Sequence, residues 1–298
     1  MKILETINLT KKYRRVTALD QLNFEIEQGM VFGLLGPNGS GKTTTLGMLL
    51  NVLTPTSGSF KWFGQPSSSA SRKKIGAILE IPCFLPYLTA SQSLKVISKI
   101  KECDPAKIDE TLRVVGLYER RNDPFKTFSL GMKQRLAIGA ALLADPSVLI
   151  LDEPTNGLDP QGIVEIRELI KNIAAGGKTI ILASHLLDEV QKLCSHFMVL
   201  QKGKKLFQGS VQEALLDQRT IEVSSDDIVS LESALARFKG IQKMERVDDR
   251  VFVLSTDQEI RPADLSQFLF DRQIVVNHLI QKEGSLEQQF LNILQDYD

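Results

Sequence analysis

The amino-acid sequence predicts an α/β protein with a buried parallel sheet, followed by a smaller α+β domain of the ferredoxin-like type. Two runs rich in apolar, β-branched residues, 148–151 and 179–183, flank the helix-like segment 162–173, and this alternation is typical of a β-α-β unit in a buried sheet. A glycine-rich turn follows a further apolar segment, 31–35, and leads into a helical run. After residue 209 the elements become shorter and follow the order βαββαβ.

The composition is that of an ordinary globular protein. The chain has 298 residues, 36 Lys and Arg against 36 Asp and Glu, and 43% hydrophobic residues, which is enough for a large core. No apolar run approaches the roughly 20 residues that span a bilayer, and the first residues lack a signal-like apolar stretch, so we expect a cytosolic chain. Cys83, Cys103 and Cys194 have no CxxC spacing, which indicates reduced thiols rather than disulfides or a zinc site.

The first two thirds of the chain alternate between predicted strands and helices. Segments 3–9, 17–26 and 30–35 have the pattern of short strands, with Gly29 and Gly36 as turn residues. Residues 89–144 are mostly helical in pattern, because apolar residues between 94 and 100 recur at spacings of three and four. The runs 148–151 and 179–183 then complete the expected parallel sheet.

The last part of the chain predicts a separate domain. The expected elements are strands at 220–223, 241–247, 251–255 and 274–280, helices at 228–238 and 262–270, and a final amphipathic helix at 286–294. We assign residues 1–215 to the large domain and residues 216–298 to the accessory one. Residues 219–298 carry 9 basic and 15 acidic side chains, and this negative charge argues against a nucleic-acid-binding domain.

Residues 36–43 read Gly-Pro-Asn-Gly-Ser-Gly-Lys-Thr and fit the pattern GxxxxGK[ST] of a phosphate-binding loop, between an apolar strand and a helix. Glycines let backbone N–H groups converge on phosphate oxygens, and the helix N-terminus adds a favourable dipole. Lys42 is expected to neutralise the β- and γ-phosphates, and the Thr43 hydroxyl to ligate Mg²⁺. The predicted nucleotide-binding residues are Gly36, Pro37, Asn38, Gly39, Ser40, Gly41, Lys42, Thr43 and Thr44. The loop indicates a nucleoside triphosphate and does not separate kinases, GTPases and ATPases.

Two acidic residues narrow this choice. Asp152 and Glu153 follow the apolar run 148–151, at the end of a predicted strand. Asp152 is expected to hold Mg²⁺, and Glu153 to polarise the attacking water.

The segment Phe-Ser-Leu-Gly-Met-Lys-Gln-Arg at residues 128–135 lies just before that acidic strand. It resembles the signature motif of the ATP-binding cassette (ABC) proteins, whose consensus is LSGGQ; Ser129 and Gly131 match it, and the other three positions differ. In the family, this serine and the following backbone N–H groups bind the γ-phosphate that the partner subunit holds.

Further motifs follow in the family's order. Asp159, in Gly-Leu-Asp, resembles the D-loop residue that faces the opposing subunit. His185 resembles the switch histidine that contacts the γ-phosphate and orients the water. Tyr13 matches the aromatic residue that stacks on adenine, although an isolated tyrosine is equally compatible with a core position. Glu80 stands where the family has the Q-loop glutamine; its carboxylate can still ligate Mg²⁺ but cannot donate a hydrogen bond as an amide can.

The resemblance covers residues 1–215 and implies a P-loop ABC cassette, with a RecA-like core, an antiparallel β subdomain and a helical subdomain. It also implies an ATPase with ATP and Mg²⁺ as cofactors, and catalytic roles for Glu153, His185 and Lys42. Two cassettes are expected to pack head to tail as a homodimer or with a related partner, so one chain supplies half of each site.

Three functional classes compete for such a cassette. The leading one is the ATPase subunit of a membrane transporter, held on the inner face of the cell membrane by a separate permease that docks on residues 81–94. The run 82–87 either contributes to that docking groove or belongs to the core of the helical subdomain. DNA-maintenance proteins insert coiled coils or zinc modules between the phosphate-binding loop and the signature motif. Ribosome-associated factors typically carry two cassettes in one chain. Neither feature is found in this sequence.

Within transporters, the variant signature, Glu80 and residues 285–291 look like the bacterial exporter branch that handles antibiotics, peptides and lipids. The sequence identifies no residue that would select the transported substrate, and we expect selectivity to reside in the permease.

Overall fold

The computed structural model describes residues 1–79, 83–216, 220–248, 250–256, 260–282 and 284–295, which form two units, Met1–Gly209 and Ser210–Asp298. The division falls between residues 209 and 210, slightly before the predicted boundary of 215 and 216. The reason is that helix α8 (Val211–Leu216) packs against helix α11 (Leu286–Gln295) of the second unit.

A six-stranded sheet forms the centre of the first unit. Its strand order is β11-β10-β4-β9-β8-β7, and the neighbours from β10 to β7 are parallel. Strands β4, β8 and β9 are buried along their whole length, as their continuous apolar sequences predict. The strands are β4 (Val31–Leu35), β7 (Ile75–Ile78), β8 (Val148–Asp152), β9 (Thr179–Ser184), β10 (His196–Gln201) and β11 (Lys204–Ser210).

The first unit contains a second, antiparallel sheet, with strand order β2-β1-β5-β6 and with β3 paired to β1. The strands are β1 (Lys2–Tyr13), β2 (Val16–Leu22), β3 (Glu25–Glu27), β5 (Ser57–Trp62) and β6 (Gln65–Pro66). The prediction of one strand over residues 17–26 is wrong, because the strand is interrupted between the end of β2 and the start of β3. There the Phe24 N–H donates to the Thr6 hydroxyl, and Gln21 takes a positive φ of 47°.

The helices of the first unit pack against the sheets or against one another. They are α1 (Lys42–Leu49), α2 (Ser69–Lys73), α3 (Ala90–Ile100), α4 (Lys107–Val114), α5 (Leu130–Leu142), α6 (Pro160–Ala175) and α7 (Leu187–Leu193), with 3-10 turns at Tyr118–Arg120 and Phe125–Thr127. A core shared by the two sheets and α1 includes Trp62, which is fully buried and donates its indole N–H to the Leu49 carbonyl oxygen at 2.9 Å.

The second unit contains a four-stranded antiparallel sheet with strand order β13-β14-β12-β15. This order and the βαββαβ succession are those of a ferredoxin-like sandwich. Its core joins the sheet to α9 and α10 through buried residues such as Val223, Leu231, Phe252 and Leu265. The elements are β12 (Thr220–Ser225), α9 (Ile228–Leu235), β13 (Ile241–Asp248), β14 (Val251–Thr256), α10 (Pro262–Phe270) and β15 (Val276–Lys282).

The fold class expected from the sequence is thereby confirmed: a mixed α/β cassette followed by a small α+β domain. Within the described residues, no helix has both the length and the apolar character needed to cross a bilayer.

Candidate active site

The glycine-rich loop connects the buried strand β4 to α1, and its path depends on two glycines. A Cβ on Gly36 would overlap the Leu200 carbonyl oxygen and lie 2.7 Å from the Ser40 hydroxyl. Gly41 has φ 112°, and a Cβ there would lie 2.8 Å from the Ala18 carbonyl oxygen. Because Gly41 has no side chain that can cap α1, the first N–H groups of the helix donate to no capping side chain and are suited to bind an anion.

Lys42 turns back over the loop. Its Nζ donates to the carbonyl oxygens of Gly36 at 2.7 Å and Pro37 at 3.3 Å, and lies 3.4 Å from Glu153 Oε1. Only 5% of the side chain is exposed. The ammonium group is therefore fixed inside the loop, where it can neutralise phosphate oxygens.

The remaining loop residues differ in their exposure to solvent. Pro37, Asn38 and Gly39 are exposed, whereas Ser40 is buried and Thr44 half-buried. The Ser40 hydroxyl has no hydrogen-bond partner among the described residues. A loop that combines uncapped backbone N–H groups, a buried ammonium group and a hydroxyl without a described hydrogen-bond partner is suited to bind a polyphosphate.

A support for this loop comes from the β10–β11 turn, which the sequence analysis missed. The Gly203 N–H donates to the Ser40 carbonyl oxygen at 3.0 Å, and a Cβ on Gly203 would lie 2.6 Å from the Ala18 carbonyl oxygen. In the sequence, the glycine at this position, which takes φ 79°, could have indicated a turn. Its contact with the loop joins residues that are far apart in the chain, so the local sequence does not indicate that contact.

The two predicted Mg²⁺ ligands that the structure describes lie side by side. Asp152 is the last residue of β8 and is buried, and its Oδ2 accepts a 2.8 Å hydrogen bond from the exposed Thr43 hydroxyl. A carboxylate and a hydroxyl form an oxygen-donor pair of the kind that Mg²⁺ prefers. The third predicted ligand, Glu80, lies outside the described residues.

Glu153 lies at the centre of the site. It follows β8 with a positive φ of 47°, and its backbone N–H donates to the Ala183 carbonyl oxygen at 3.0 Å. Its Oε2 lies 2.8 Å from His185 Nδ1, while its other oxygen faces Lys42. The three residues predicted to be catalytic are thus in contact, because β4, β9 and β8 are adjacent and end at the same edge of the sheet.

Ser129 and Asp159 begin two neighbouring helices. Ser129 caps α5 by accepting the Met132 N–H at 3.2 Å, and Asp159 caps α6 by accepting the Gly162 N–H at 3.0 Å. Both residues are exposed. Their loops touch, since a Cβ on Gly157 would lie 3.3 Å from Leu130 and one on Gly131 would lie 4.0 Å from Leu158. The signature and D-loop residues therefore share one surface of the chain.

Tyr13 ends β1, and its ring is partly exposed, with Lys11 Nζ 5.0 Å from the ring centroid. Its strand pairs with β2, whose Ala18 carbonyl oxygen approaches Gly41. The tyrosine is therefore accessible for stacking, at the end of a hairpin that supports the loop.

The run 82–87 divides between two environments. Phe84 packs against Phe125, with ring centroids 5.2 Å apart, whereas Leu85 and Tyr87 are largely exposed. Pro82 lies outside the described residues. Phe84 is therefore a packing residue, whereas docking of a partner on the exposed side chains of Leu85 and Tyr87 stays a prediction.

Comparison with known proteins identifies the relatives of this chain. The family profile described as ABC transporter matches residues 19–156. The chain is 43% identical over 221 residues to the uncharacterized ABC transporter ATP-binding protein YhcH of Bacillus subtilis, covering 72% of both chains. It is 44% identical over 209 residues to the bacitracin transport ATP-binding protein BcrA of Bacillus licheniformis, covering 68% of both.

A solved structure gives the same result. The chain superposes on cbiO1 from Clostridium perfringens, part of the ABC transporter complex cbiONQ, with a TM-score of 0.66 and 30% identity. The match covers 79% of this chain and 96% of that one.

Proposed function

The chain belongs to the ABC transporter family as an ATP-binding, ATP-hydrolysing subunit, and from this premise we propose that it powers export of a peptide, an antibiotic or a lipid through a separate membrane permease. The observation that carries the hydrolytic part is the position of Glu153 between Lys42 and His185, beside Thr43 and Asp152. The export part is supported by similarity to a bacitracin transport protein.

The loop residues bind the triphosphate. Gly36 to Thr44 surround the phosphates with backbone N–H groups, and Lys42 neutralises their charge. Tyr13 stacks on the adenine ring. Thr43 and Asp152, together with Glu80, would hold Mg²⁺, and the bound ion would neutralise the charge that develops on the phosphate oxygens.

Glu153 acts as the general base. Its carboxylate accepts the proton of the attacking water, and a positioned carboxylate of this kind contributes about 10²–10⁴-fold to rate. The 2.8 Å contact with His185 Nδ1 fixes the orientation of the carboxylate, and the imidazole is close enough to orient the water as well.

Two chains complete each site. Ser129 and Gly131 lie at an exposed helix start next to the Asp159 loop, so this surface is available to the phosphates held by a partner. The proposed assembly is a head-to-tail homodimer that closes when two ATP molecules bind and reopens after hydrolysis.

The dimer binds its permease on the cytoplasmic face of the membrane. The exposed side chains Leu85 and Tyr87 support a docking groove there, within the predicted docking segment 81–94. We propose that the second unit, Ser210–Asp298, is an accessory domain, because the predicted nucleotide-binding residues all precede it.

The experiment that tests this function captures the partner. The chain carrying Glu153→Gln is tagged and expressed in its native host, and membranes are solubilised with ATP present. Mass spectrometry of the purified complex is expected to find one polytopic membrane protein at near-equal stoichiometry. Ribosomal or DNA-bound proteins without a membrane protein would contradict the transport assignment and favour a non-transport ABC ATPase.

A further inference from the structure

A buried ion pair joins the two helices that follow the D-loop and the switch histidine. Arg167 on α6 places Nη2 2.6 Å from Glu189 Oε1 on α7. The exposed fractions are 13% for the Arg167 side chain and 4% for that of Glu189. A second contact, 3.2 Å to Asp188 Oδ2, is solvent-exposed on the Asp188 side. The buried contact with Glu189 is therefore the one that water screens least.

Helix α7 depends on such contacts for its position. It has seven residues and no side-chain cap at its start, and a helix this short is not stable alone. On one side it packs against β4, where a Cβ on Gly33 would lie 3.0 Å from both Val190 and Cys194. On the other side two described ion pairs join it to α6, both through Arg167: the buried one with Glu189 and the more exposed one with Asp188.

Within the described residues, Arg167 provides the ion pair of the Glu189 carboxylate, whereas Asp188 is a second and more exposed partner of Arg167. Glu189 Oε2 and Arg167 Nε have no hydrogen-bond partner there, so each buried charge is compensated mainly by the other. A displacement of α7 from α6 would leave both charges buried without compensation, which is strongly unfavourable. The pair therefore fixes the separation of the two helices.

His185 is directly coupled to this helix. Only Leu186 separates it from Leu187, the first residue of α7, and β9 ends at the residue before it. Glu189 lies four residues, about one helical turn, after the histidine. The same pair holds α6, whose cap is Asp159.

We propose that Arg167 and Glu189 are positioning residues for ATP hydrolysis: their buried contact holds α7 so that His185 Nδ1 stays at Glu153. This inference rests on the proposed function, because it acts through the histidine assigned there. Neither residue contacts the catalytic groups themselves, so the pair affects the rate of the chemical step rather than the binding of ATP.

The test is a comparison of steady-state ATPase activity in the full-length chain. Glu189→Gln removes the charge and keeps the shape; we expect kcat to fall about tenfold with KM for ATP within about twofold, as for a loss of positioning alone. In the His185→Ala background the same change is expected to have no further effect. Lys192→Gln, which removes an exposed ion pair with Asp188 on the same helix, is the matched control and should leave kcat unchanged.

Each outcome has a distinct meaning. Wild-type kcat in Glu189→Gln, or an equal fall in both backgrounds, would overturn the positioning role and leave the proposed function intact. An unchanged rate in His185→Ala would instead overturn the assignment of the histidine, and the inference with it. If Glu189→Gln does not fold, Arg167→Lys is measured in its place, in the wild-type and His185→Ala backgrounds. This variant keeps the charge but loses the planar guanidinium group. A fall in kcat in the wild-type background alone would support the positioning role, and an equal fall in both would overturn it.

Discussion

Glu153 Oε2 lies 2.8 Å from His185 Nδ1, across the ends of the neighbouring parallel strands β8 and β9. In the sheet register Asp152 is paired with Ala183, so the residues that follow the two strands leave the sheet next to each other. On the other side of β9, Leu35 is paired with Ser184, which brings the phosphate-binding loop to the same place. The order of the strands therefore brings together the residues of the proposed hydrolytic site.

Glu153→Gln should separate ATP binding from hydrolysis. The amide cannot act as a base, so we expect the ATPase rate to fall at least about 100-fold, while ATP affinity is retained and a closed dimer accumulates. Size-exclusion chromatography with ATP and a hydrolysis assay measure both effects. Glu168→Gln, at an exposed carboxylate of α6, is the control. A variant that stays monomeric with ATP and hydrolyses it at the normal rate would show that Glu153 is not the general base.

Gly36→Ala should distort the phosphate-binding loop and weaken the binding of ATP. The new methyl group would overlap the backbone oxygen of Leu200, so the loop has to move, and we expect ATP affinity to fall at least about tenfold, or about 1.4 kcal/mol. Gly29→Ala is the matched control: its φ of 83° strains alanine, but nothing lies within 4 Å. That change should cost about 1–2 kcal/mol of unfolding free energy without affecting nucleotide binding. Equal ATP affinities in the two variants would contradict the steric argument.

Thr43→Val should raise the Mg²⁺ concentration needed for half-maximal ATPase activity. Valine removes the hydroxyl that bonds Asp152 Oδ2, and with it one proposed oxygen ligand, so we expect the midpoint to rise at least about tenfold. Thr45→Val removes a hydroxyl on the same helix that donates to the Gly41 carbonyl oxygen, and its midpoint should stay near that of the wild type. A Mg²⁺ titration of both variants decides between a metal ligand and a helix-stabilising residue.

Glu80→Gln should retain most ATPase activity. The substitution restores the residue usual at this position in the family, and glutamine oxygen can still ligate Mg²⁺. The measurement is kcat at saturating ATP and Mg²⁺. A loss greater than about tenfold, roughly 1.4 kcal/mol of barrier, would show instead that the carboxylate has a role that an amide cannot replace.

A chain that ends at Gly209 should still bind ATP. The core of the first unit consists of residues between Ile3 and Leu200, and that of the second unit begins at Ile221, so removing the second unit leaves the first core complete. We expect ATP affinity within about threefold of the full chain, a difference of about 0.7 kcal/mol, by equilibrium titration. Loss of binding together with cooperative unfolding would indicate that the accessory domain stabilises the cassette.

Local patterns were predicted reliably because neighbouring residues determine them. The glycine-rich turn between an apolar strand and a helix is continuous in sequence, and the structure places Gly36 and Lys42 accordingly. The strand break near Phe24 was missed, because it depends on a hydrogen bond to Thr6, 18 residues earlier. Support of the loop by Gly203 was missed for the same reason.

The family, the α/β class with its α+β appendage, and the residue types expected to bind phosphate all follow from contiguous motifs and periodicity in the sequence. The contacts of Glu153 with both Lys42 and His185, and the burial of Arg167 against Glu189, are visible only in the folded chain. Such contacts join residues that are distant in the chain. Strand order and helix packing create them, and both depend on the burial of the whole core rather than on any local segment.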